Sequence, residues 1–164
     1  WRSNQLPDPI QTLVIENLVS TLRGITKAGG YDNSLDKAEQ VVAFGESIPE
    51  VSKFPAVLVH VVEDTGDYEF HAGFVEHRMV LALQCIARDG NANTVRSTAQ
   101  GLVADIQRAL MNDHQRGGYA IDTRVSADAV EFDLTSLPHI YFTVAVEIEY
   151  RHGVRDPRSQ DPSL

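Results

Sequence analysis

The chain has 164 residues, 43% of them hydrophobic, with 23 acidic against 14 basic side chains and a net charge of −9. That length can bury a sizeable core without a disulfide or metal staple, and the single Cys85 has no second cysteine to bridge with. The acidic balance disfavours a sequence-reading nucleic-acid binder, which needs a basic footprint, and no apolar run approaches the roughly 20 residues of a membrane span.

The first element reads as a helix. Asp8 is placed to cap it and Pro9 to occupy the first helical position. Ile10, Leu13, Val14, Leu18, Leu22 and Ile25 follow at three-to-four spacing, one apolar stripe. Gly29-Gly30 supplies the stop signal. Residues 38–44 (AEQVVAF) form a short strand candidate, followed by a polar loop with Pro49 and Pro55.

Two longer strands come next, residues 56–63 (AVLVHVVE), rich in β-branched residues, and 75–87 (VEHRMVLALQCIA). The segment between them, DTGDYEFHAGF, reads as an exposed loop or flexible hairpin tip. Cys85 lies inside the second of these strands and reads as a small buried hydrophobe.

A second helix follows, with Asn91 or Asn93 as cap and Val95, Ala99, Leu102, Val103, Ile106, Ala109 and Leu110 as its stripe. Arg96, Gln100, Asp105 and Arg108 fall largely on the opposite, solvent side, and Gly117-Gly118 opens the loop beyond. Residues 125–134 and 139–151 are then expected as a second hairpin. The latter alternates almost without fault, and about thirteen residues span about 40 Å, well over the usual strand length.

The fold class is therefore α+β: a mainly antiparallel four- to five-stranded sheet with two helices packed on one face. Residues 1–152 are expected as one domain, and 153–164, rich in Pro and charge, as a solvated or partner-ordered tail.

Chemistry is sparse. No P-loop, dinucleotide fingerprint, nucleophile elbow, HExxH or CxxC is present, and no catalytic residue, metal or cofactor is expected. His60, His71 and His77 would make a three-imidazole set for zinc, although no further ligand stands at a fixed spacing. Glu147 and Glu149 share a strand face about 7 Å apart. They read as a solvated or subunit-contacting pair rather than an acid–base pair, with Arg78 as a salt-bridge partner. In the 64–74 segment, Tyr68 and Phe70 could anchor an arm on a neighbouring subunit while Asp64, Asp67 and Glu69 face a polar channel.

The layout as a whole resembles the tail terminator (tail completion) proteins of long-tailed bacteriophages, over roughly residues 8–151. The resemblance rests on element order and on FPAVLVHVVED, STAQGLVADIQRALMND and a last strand ending VAVEIEY. It implies a non-enzymatic virion protein made in the host cytoplasm and located at the head–tail junction. Such proteins form a hexameric ring on the tail tube, stop its growth and meet the head connector or stopper. DNA passes through the lumen without sequence-specific binding. A negative lumen would repel DNA phosphates, with Asp64, Asp67 and Glu69, or Glu147 and Glu149, as lining. A tail tube protein or a connector ring is the nearest alternative, and a small soluble enzyme or ligand-binding domain the different-class one.

Overall fold

A computed structural model describes residues 6–45, 47–69, 73–89, 91–126 and 139–161. Its elements are α1 (Ile10–Arg23), β1 (Val41–Ala43), β2 (Ala56–Glu69), β3 (Phe74–Arg88), α2 (Ala92–Asn112), β4 (Ala120–Ser126) and β5 (His139–Gly153). The five strands form one sheet in the order β1-β2-β3-β5-β4.

The fold is α+β, as the sequence implies. The sheet is mainly antiparallel, as expected, but not purely so, because β1 runs parallel to β2. Parallel neighbours need a long crossover connection, and residues 44–55 supply it.

Strict alternation along β5 buries Ile140, Phe142, Val144, Val146, Ile148 and Tyr150. On β3 the odd-numbered Met79, Leu81, Leu83, Cys85 and Ala87 are buried on the same side. Val14, Leu18 and Leu22 of α1 and Ala99, Leu102 and Ile106 of α2 complete one continuous core with them. Both helices thus cover the same sheet face. Burying each large apolar side chain contributes roughly 1.5–3 kcal/mol.

The helix ends differ from the sequence reading. Asp8 does not cap α1: Pro9 holds the cap position without a side-chain bond. The Ile10 N–H instead donates to the Pro157 carbonyl at 3.0 Å. The helix also stops at Arg23, and Gly29-Gly30 closes a short 3-10 turn beyond it, while Ile25 stays in the core. In α2 the cap is Asn91, whose side chain accepts from the Asn93 N–H. The far end is held by the buried Arg116, which donates to the carbonyls of Leu110 and Asp113 and pins them toward Thr21 of α1.

Asp105 is not on the solvent side. It is buried and accepts from the backbone of Asp32 and Asn33 and from the Asn33 amide, clamping the segment after α1 against α2. Gly101, one turn earlier, lets that segment approach: a Cβ there would stand 3.3 Å from an Asp32 carboxylate oxygen.

Three further expectations change. Residues 64–69, read as loop, continue β2 as paired strand up to Glu69↔Phe74. Of the strand expected at 125–134, Val125 and Ser126 belong to β4, which begins earlier, at Ala120, and the remainder of that expectation lies outside the described residues, which omit 127–138. The C-terminal segment is no solvated tail through residue 161. Ser159 accepts from the Gly153 N–H and Gln160 donates to the carbonyls of Gly118 and Tyr119, so the segment straps the end of the sheet to α1 and to the α2–β4 loop.

Candidate functional site

The face left bare by the helices is built by the alternate residues of four strands. One irregularity sorts its acids. Val61 pairs with Leu81 and Glu63 with Val80, leaving Val62 as a bulge with 60% of its surface exposed. A bulge adds one residue and so shifts the phase of alternation. Before it Val57, Val59 and Val61 point to the helices; after it Asp64 and Gly66 do, while Glu63, Thr65 and Asp67 point outward. A second bulge in β4 does the same and presents Ile121 to solvent.

The outer face therefore carries, among the described residues, Glu63, Asp67, Glu76, Asp122, Glu147 and Glu149 against Arg78, Arg88, Arg124 and Arg151. Its centre is an ion network. Arg78 donates to Glu147, and Arg124 reaches Glu149 at 3.3 Å, Glu147 at 3.6 Å and Asp122 at 3.2 Å. The hydrogen bond from Arg78 is the main reason that the Glu147 carboxyl sits below the usual carboxylate range. A carboxylate held ionised by arginine cannot serve as the protonated member of an acid–base pair. Beside the network, a cleft of about 390 Å³ is lined by Glu63, Asp67, Glu76, Arg78, Ile121 and Glu149.

Of the residues singled out from sequence, Asp67, Arg78, Glu147 and Glu149 thus share this face. Asp64 does not. It turns under the start of α1, where Oδ2 accepts from Gln11 Nε2 at 2.7 Å and the Tyr150 hydroxyl at 2.6 Å, and Oδ1 meets His77 Nδ1 at 2.8 Å. The side chains of Tyr68 and Glu69, and the whole of Phe70, lie outside the described residues.

The three-histidine set does not assemble either. His60 stands opposite Ala82 and stacks on Phe44, on the sheet side away from His77, and His71 lies outside the described residues. His77 instead meets His152, Nε2 to Nε2 at 3.0 Å. Nothing in the sequence pairs these two, since they become neighbours only through the β3–β5 register, Val75↔His152 and His77↔Tyr150. Among the described residues no group of three or more His, Cys, Asp and Glu could hold a metal ion. Cys85 is fully enclosed, and burial pushes its thiol well above the usual range, which leaves it unreactive.

Comparison with known proteins adds no assignment: no protein-family model matches the chain, and no curated protein matches it. No helix among the described residues is long and apolar enough to cross a membrane.

Proposed function

We propose that the chain is a structural subunit of a long-tailed phage virion, a tail terminator that forms a ring at the end of the tail tube. The reading rests on the resemblance in element order and strand phrases. The observation that supports it best is one-sided cover. Both helices pack on one face of the sheet, and the other face carries six acids against four arginines among the described residues, with Val62, Ile121 and Tyr141 partly exposed among them.

A ring needs a surface for each neighbour and a lumen that does not hold DNA. A bare sheet face and strand edges offer the first. Unneutralised carboxylates on a low-dielectric surface offer the second, because they repel phosphates and deny DNA the cation contacts that binding needs. In this reading the partners are copies of the chain, the tail tube protein, and a connector or stopper protein, and no catalytic step is involved.

Electron microscopy of the purified protein tests the proposal. Single closed rings support it. Long stacked tubes argue for a tube protein, and a protein that stays monomeric at high concentration argues against any ring.

A further inference from the structure

Beneath the C-terminal strap lies a polar cluster that the ring reading does not use. His77 Nδ1 meets Asp64 Oδ1 at 2.8 Å, His77 Nε2 meets His152 Nε2 at 3.0 Å, and His152 Nδ1 meets the Gly153 carbonyl at 2.8 Å. Each of these three links needs one proton, since two lone pairs do not attract. An ionised Asp64 and two neutral imidazoles hold only two. The third link therefore requires an additional proton, whichever tautomers the rings adopt, and it makes the trio neutral overall.

We propose that His77 and His152 share one excess proton, and that this proton latches the C-terminal strap and the start of α1 onto the end of the sheet.

The surroundings fit a shared cation. Asp64 supplies one negative charge from β2, and its other oxygen is already occupied by Gln11 and Tyr150. The Tyr150 ring stacks on His77 with centroids 4.8 Å apart, an arrangement favourable to a cationic imidazole. From α1 the cluster is faced by Gln11, and from the strap by Pro157; neither titrates. Asp64, Tyr150 and the two histidines are thus the titratable groups at this cleft of about 320 Å³.

The link to the strap is direct. The Gly153 carbonyl that accepts from His152 also accepts from the Asp156 N–H, and the Gly153 N–H donates to Ser159. Pro157 then accepts from Ile10, and Gln11 returns to Asp64. When the proton leaves, two protons serve three links. Either two Nε2 lone pairs face each other at 3.0 Å and His152 rotates away, or His152 keeps its Nε2–H on His77 and turns an Nδ1 lone pair toward the Gly153 carbonyl. Either way the contact to Gly153 is lost. The strap is thereby coupled to the proton count of the pair: with the third proton all three links are made, and without it one is missing.

The test is nitrogen-detected NMR of the histidine rings in the full chain between about pH 5 and about pH 8, with amide hydrogen exchange at Ile10 and Gly153. The two Nε2 signals are expected to move together in a single step. Protection of the two amides, corrected for the intrinsic rate, is expected to fall about tenfold across it, the size of losing one charge-assisted hydrogen bond. His152→Gln is expected to abolish both, and should that variant not fold, the wild-type rings decide alone. Rings that titrate independently, or amide protection that ignores pH, would overturn the proposal. So would a stoichiometric divalent metal, removed by chelation, found between the two Nε2 atoms.

Discussion

Gly66 lies directly across the β2–β3 ladder from His77, and a Cβ on it would stand 2.9 Å from Cε1 of that imidazole and 3.2 Å from a Val75 methyl. The ring rests against bare backbone, and the absence of a side chain there sets where His77 Nε2 points.

Gly66→Ala is therefore expected to push the ring off His152 and to cost about 1–3 kcal/mol, the usual range for overpacking. Gly45→Ala is the control, since a Cβ there meets nothing within 4 Å. Thermal denaturation of the two variants should show a lowered midpoint for the first and little change for the second. Equal midpoints would mean that the His77 position is not fixed from this side.

Tyr150 carries an alkaline signature. Burial first, and its hydrogen bond to Asp64 second, raise its hydroxyl far above the ordinary phenol range. Once the pH passes about 10, the unfolded phenol ionises while the native one does not. The native state then holds more protons, so stability falls as pH rises further. Tyr150→Phe should flatten this decline while costing about 1–3 kcal/mol at neutral pH for the lost bond to a carboxylate. Denaturant melts at about pH 7 and about pH 11 read both effects.

Asp105 joins two parts of the fold with three accepted hydrogen bonds. Asp105→Ala strands the Asp32 and Asn33 donors, and a loss of about 2–5 kcal/mol is expected. Hydrogen exchange should locate the loosening at residues 31–35 and the facing turn of α2. A variant as stable as the wild type would remove the clamp from the account.

On the open face, the double variant Glu147→Lys, Glu149→Lys puts two lysines beside Arg78 and Arg124. Its melting point at low salt should drop and should recover as salt screens the repulsion. Arg78→Glu added to it should restore stability. Glu147, held low by Arg78, contributes stability above its unfolded value and loses it as pH falls through its lower native one.

Local pattern carried much of the fold. The alternation of residues 139–151 and the two helical stripes depend only on side-chain period, and every apolar residue of the last strand that was read as core is buried. Long-range partners were hidden. The backbone acceptor for Ile10 comes from Pro157, at the far end of the chain. Asp105 looked like a solvent residue because nothing near it in sequence discloses Asn33. DTGDYE looked like loop because Gly and Asp are poor strand formers. In the structure Gly66 makes room for His77, and the bulge at Val62 turns Asp64 inward. Of the site, Arg78 with Glu147 was legible from neighbouring strands; His77 with His152 needed the register of the pairing.

The central claim is that the bare sheet face and strand edges serve a closed ring of copies. Sedimentation equilibrium of the purified chain, with and without the Glu147→Lys, Glu149→Lys change, tests it most directly. The account predicts a single discrete oligomer at a fixed multiple of the chain mass for the wild type. A monomer at every accessible concentration, or polymers of unlimited length, would contradict it.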